Sequence, residues 1–110
     1  MEPKTQIQYW VELADYDLIT AKAMHETERF LYVGFMCHQS VEKAFKALYV
    51  RWQNKRPPYT HKLNLLANQG GFLAQLSTEQ IEFIDLLEPL NIEARYPSDK
   101  DRLLRSLDFE

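Results

Sequence analysis

The sequence predicts an all-α protein, an up-and-down bundle of four to five helices forming a single domain over residues 1–110. Three observations predict it. The stretch Phe35 to Trp52, FMCHQSVEKAFKALYVRW, has neither Pro nor Gly, is rich in Ala, Lys, Glu and Leu, and is long enough for about five helical turns. Apolar residues in the flanking stretches keep helical spacing. No segment shows strand alternation, and only 3 glycines are present, so a sheet has no support.

Phe35 to Trp52 reads as a central helix. Cys37, Val41, Ala44, Phe45, Leu48 and Trp52 fall in one apolar arc, the expected core face. On the far side Gln39, Lys43 and Lys46 recur at helical spacing, with Phe35, Met36, Ala47 and Val50 beside them. Such a helix expects neighbours on more than one side.

Before it, Thr5 to about Glu28 forms a first long helix carrying Ile7, Trp10, Leu13, Ala14, Ala21 and Met24, with Thr5 available as N-cap. Asp17 lies inside that apolar stripe, where a carboxylate needs a partner. Glu28, Arg29 and Phe30 offer no strong breaker, so the boundary is loose, and Gly34 hints at close packing.

After Trp52, Pro57 and Pro58 in Gln53 to His61 stop the central helix. Thr60 is positioned to cap a short helix from about His61, carrying Leu63, Leu65, Leu66 and Ala67, which Gly70 and Gly71 end. Ser77 followed by Gln80 is a capping box for another helix, with Ile81, Ile84, Leu87 and Phe83 facing inward. Pro89 kinks or ends that helix, Ile92 to Tyr96 continues it or exits extended, and Pro97 biases Tyr96 away from helix. Ser98 or Asp99 caps a last helix with Leu103, Leu104 and Leu107, cut at Glu110 and therefore either short or truncated.

Composition narrows the function classes. With 45% hydrophobic residues the chain can bury a core, and a net charge of -3 argues against attachment to nucleic acid by overall charge, leaving only a local basic patch. Its 1 cysteine, Cys37, allows no internal disulfide and no metal-site spacing, which fits a reducing compartment. No apolar run is long enough for a membrane span, and the N-terminus lacks a secretory core, so a cytoplasmic protein without membrane attachment is expected.

The run CHQSVEKAFKAL, a Pro-containing loop into THKLNLL, and then EARYPSD resemble the HEPN family of small helical, nucleotide-binding-type domains. The resemblance rests on three blocks in order: Gln39 with Glu42, Lys43 and Lys46; Thr60 with His61 and Leu63; Arg95, Tyr96 and Pro97. Trp10, Ala14, Asp17, Leu18 and Ala21 extend the likeness to about residues 5 to 107. It implies a helical bundle, often a homodimer, frequently encoded beside a minimal nucleotidyltransferase in a toxin–antitoxin-like pair. Some members are metal-independent ribonucleases carrying Arg, four to six residues, then His. Arg56 and His61 satisfy that count, but Pro57 follows the Arg directly; Arg95 lies nearer the place the active pair holds, and no His follows it.

Metal-free RNA cleavage needs an acid–base group near neutral pH and a cation for the charged phosphate, roles that His and Arg fill. His61 is either such a group or a helix-start residue bonded to Thr60 or to a carboxylate such as Asp17. Arg56 is its partner or a solvated loop charge; Arg95 binds phosphate or locks Asp17 or Glu42, leaving Tyr96 to pack. Gln39, Lys43 and Lys46 line a nucleotide groove or form a solvated stripe with the Glu42–Lys46 pair. His38 reads as a core-edge histidine.

The first expectation is a non-catalytic module that binds a nucleotide or RNA phosphate, or a nucleotidyltransferase partner, through Asp17, Gln39, Lys43, Lys46, His61, Arg95 and Tyr96. One alternative is a metal-independent endoribonuclease using His61 with Arg95 or Arg56. Another is an interaction domain whose dimer or partner face is Phe35, Met36, Ala47 and Val50. None of these readings calls for a metal or a cofactor.

Overall fold

Pro3 opens the first helix, because its ring presets helical φ and its missing N–H is not needed in the first turn. The structure, a computed structural model, describes residues 2–93. In it α1 spans Pro3–Glu26 and α2 spans Phe30–Gln53. Thr5, the expected N-cap, lies inside the first turn of α1 because Pro3 starts the helix earlier.

The break between α1 and α2 is a Schellman turn built without glycine. Glu28 takes a left-handed conformation at φ 60, its N–H donates to the His25 carbonyl at 3.1 Å, and the Arg29 N–H donates to the Met24 carbonyl at 2.7 Å. Thr27 Oγ1 donates to the Ala23 carbonyl at 2.9 Å. A strained Glu at the turn leaves no breaker signature in the sequence.

Asn54, left-handed at φ 55, ends α2. A third helix, α3, covers Leu63–Gly70 and closes on Gly71, whose φ of 81 suits glycine. A 3-10 turn at Leu73–Gln75 leads to α4, Thr78–Leu87. The Ser77–Gln80 capping box is present in full, at 2.9 and 3.1 Å. Pro89 separates α4 from α5, Leu90–Glu93. Thr60 does not cap α3; its hydroxyl accepts from the Lys62 N–H at 3.2 Å. The cap comes from another element, since the Glu88 carboxylate accepts from the Leu63 N–H at 2.8 Å.

α2 is the inner rod, touching α1 on one side and α3, α4 and α5 on the other. The apolar core lies on the second side, where Phe45 packs with Leu63, Leu66, Ala67, Phe72, Ile84, Leu87 and Leu90. The rings of Phe45 and Phe72 meet edge-on at 5.1 Å. Leu63 and Leu66 lose all their exposure, each contributing roughly 1.5–3 kcal/mol. On the α1 side, small residues let the two long helices approach: Ala14 and Ala21 of α1, and Ala47 of α2, are buried.

The expected core arc of α2 is partly right and partly rotated. Phe45 is buried with Cys37 and Val41 packed against its cluster, but Leu48 is exposed and Trp52 keeps 52% of its surface, while His38, Glu42 and Lys46 are buried. Glu42 and Lys46 pair with each other, which offsets the usual penalty for their burial and turns a polar face inward. Ala47 and Val50 are buried within the chain, so of the partner face expected from Phe35, Met36, Ala47 and Val50 only the half-buried Phe35 and Met36 reach the surface. Phe83, expected to face inward, is half exposed, because the core side of α4 is set by Ile84 and Leu87. Arg95, Tyr96, Pro97 and the last helix expected after Ser98 lie outside the described residues. No helix among the described residues is long and apolar enough to cross a membrane.

Candidate functional site

Glu42, two turns before the end of the buried stretch of α2, is the hub of a polar cluster between α1 and the loop that precedes α3. Its Oε2 accepts from Lys46 Nζ at 3.1 Å, and its Oε1 lies 3.0 Å from His61 Nδ1. Both Glu42 and Lys46 are buried, so the pair is shielded from solvent. The i, i+4 spacing on a helix brings them together, and the Trp10 ring of α1 covers the ammonium at 5.2 Å from its centre.

His38, a turn before Glu42, has no exposed surface at all. Its Nδ1 is 3.7 Å from Glu42 Oε1, and its Nε2 is 3.9 Å from Glu88 Oε1. The same Glu88 that caps α3 thus stands beside the histidine at the heart of the cluster. Further along α2, Lys43 donates to the buried carboxylate of Asp17, the partner which that residue's place in the α1 stripe demands. Gln39 Nε2 donates to Asn91 Oδ1 at 2.7 Å, tying α2 to α5.

The outer edge of the cluster is open. The His61 side chain is 40% exposed, and its ring lies edge-on to Tyr59 at 5.9 Å, with Tyr59 itself almost wholly in solvent. An ionised carboxylate only accepts, so Nδ1 is the nitrogen that donates to Glu42, and in the neutral ring Nε2 is then the acceptor. Across Trp10 from Lys46, a pocket of about 240 Å³ is lined by Gln6, Tyr9, Trp10, Arg56 and Pro57. Arg56 is exposed and makes no ion pair among the described residues.

Asp17, Gln39, Lys43, Lys46 and His61 therefore lie along one side of α2, in two adjoining groups, Asp17 with Lys43 and Glu42 with Lys46 and His61. The lysines face carboxylates, and Gln39 is engaged with Asn91. Arg56 is not in the His61 group; it lines a pocket with Trp10, whose ring also covers Lys46. Arg95 and Tyr96 lie outside the described residues. Residues central here that sequence reasoning left out of the site are Glu42, His38, Trp10 and Glu88. His38, Glu42 and Lys46 share a spacing of four, a visible signal; nothing local points to Trp10 or Glu88. No cluster of His, Cys, Asp and Glu among the described residues is arranged to hold a metal ion.

Residues 7–109 match the family model described as the HEPN domain. The chain belongs to the HEPN family. Comparison with curated proteins finds no match, and neither does comparison with solved structures. Within this HEPN domain the Glu42 cluster occupies the middle of the matched region, and the elements that supply it, α2 and α3 in full and α1 from Ile7 onward, fall inside that region.

Proposed function

We propose that this HEPN domain binds a nucleotide or an RNA phosphate in the pocket bordered by Tyr9, Trp10 and Arg56, whose Trp10 wall also covers Lys46 of the Glu42–His61 cluster. Arg56 carries the reading: it is an exposed guanidinium lining an aromatic pocket and has no carboxylate partner among the described residues. A base stacks on the aromatic wall while the fork of Arg56 takes the phosphate. Lys46, held by Glu42, lies against the Trp10 ring, Glu42 holds His61, and Lys43 is engaged by Asp17. The module works as a homodimer, beside a minimal nucleotidyltransferase partner, in a toxin–antitoxin-like pair in the cytoplasm.

The test is anisotropy of a labelled single-stranded RNA and of a labelled mononucleotide titrated with the protein. Arg56→Ala is expected to weaken binding by about tenfold and to lower the salt slope by about one. Unchanged affinity in that variant, or no binding by the wild type, overturns the reading.

A second reading, metal-independent endoribonuclease, is favoured by one contact. Glu42 holds Nδ1 of a part-exposed His61 at 3.0 Å, an arrangement that orients an imidazole for acid–base work. Cleavage of RNA in EDTA, lost in His61→Ala with helical circular dichroism intact, supports it; absence of cleavage removes it.

A further inference from the structure

The face that α1 and α2 turn away from the Glu42 cluster is apolar and open. Ile7, Val11 and Ala14 of α1 and Ala44 and Leu48 of α2 line a groove of about 300 Å³. Val11 keeps 43% of its surface and Leu48 37%, and Leu18, 42% exposed, continues the stripe. The core cluster is on another side of α2, so the exposed Val11, Leu18 and Leu48 side chains lie outside it.

Two charges mark this groove, Asp15 and Arg51. Both are exposed, and neither forms an ion pair among the described residues. They lie far apart along it. Ser40 Oγ donates to the Ala14 carbonyl at 2.8 Å, so Asp15 stands about level with Ser40; Arg51 is a further run of α2 away, roughly 16 Å at the helical rise. Opposite charges at opposite ends of one apolar strip are self-complementary under a two-fold axis through its middle, near Val11 and Leu48. An unrelated partner has no need of that arrangement.

We propose that a second copy of this chain docks on this α1–α2 face, with Arg51 of each protomer against the partner's Asp15. The area is adequate. Two helices of 24 residues present a face of roughly 36 by 20 Å, close to the ~800 Å² per partner of a stable complex. The inference deepens the dimer part of the proposed function by naming its surface, and it does not depend on the nucleotide part.

Analytical ultracentrifugation of the full chain over a range of concentrations tests it. The wild type is expected to sediment as a dimer, and Leu48→Asp as a monomer. Asp15→Arg and Arg51→Asp are each expected to weaken self-association by about tenfold or more. Mixed together they restore it, because an all-basic strip then faces an all-acidic one. Circular dichroism confirms the fold of each variant; should Leu48→Asp unfold, the charge pair alone decides. A monomeric wild type overturns both the dimer and the face. A dimer indifferent to all three substitutions overturns the face and leaves the dimer, and single variants that weaken association without rescue on mixing overturn the pairing of Arg51 with Asp15.

Discussion

Glu42 Oε1 lies 3.0 Å from His61 Nδ1, so a residue in the middle of the central helix holds the end of a loop that two prolines have stiffened. The other oxygen of the same carboxylate holds Lys46. Removing the carboxylate charge leaves the ammonium of Lys46 buried without its counter-ion. Glu42→Gln is expected to destabilise the fold by about 3 kcal/mol, read from urea unfolding. Adding Lys46→Met should recover most of that loss, since the uncompensated charge is then gone.

Asp17 and Lys43 join α1 to α2 on the same principle, but Lys43 retains 21% side-chain exposure against 9% for Asp17. Lys43→Ala, which strands the more buried charge, is therefore expected to cost more than Asp17→Ala, about 3 against about 1–2 kcal/mol. A double-mutant cycle in urea should return a coupling of about 1 kcal/mol or more; independent effects would refute the pairing.

Much of the fold is legible in the residues alone: the central helix, the capping box at Ser77, the stop at Gly70 and Gly71, and the break at Pro89. Asp17 is legible as a carboxylate in need of a partner, though not that the partner is Lys43. The rotation of α2 is hidden, because an apolar arc is normally the inward one and charged residues are normally outward. Here Glu42 and Lys46 satisfy each other and go inside with His38 beside them, leaving Leu48 and Trp52 outside. The cap on α3 is invisible for another reason. Glu88 comes from 25 positions along the chain, and no local pattern reports such a distance. The pocket beside Trp10 depends likewise on where α1 crosses the loop.

At Gly70 the backbone passes so close to two aromatic rings that a side chain has no room. A Cβ there meets Phe72 Cε1 at 2.6 Å and Tyr49 Cδ2 at 3.2 Å. Gly70→Ala is expected to lower stability by about 1–3 kcal/mol despite the better helix propensity of Ala. Thermal unfolding followed by circular dichroism measures it, and an unchanged midpoint would refute the close approach.

Burial pushes the Cys37 thiol above its ordinary value. The folded chain then holds that proton more tightly than the unfolded one. The thiol's contribution to stability is intact below the ordinary value of 9.0 and is lost as pH rises beyond it. Alkylation at mildly alkaline pH should be slower in the native protein than in urea. Between pH 8 and 10, roughly the span in which thiols ionise, Cys37→Ala should lose stability less steeply than the wild type.

Glu88 sits where Pro89 prevents α4 from continuing, and from there it closes the first turn of α3. An eight-residue helix is below the length, about 12–15 residues, at which a helix persists alone. Asn64 of α3 also donates to Asp85 of α4, at 3.1 Å. The two segments are consequently one cooperative unit: their amide protons exchange with solvent through a shared opening, and neither helix frays without the other.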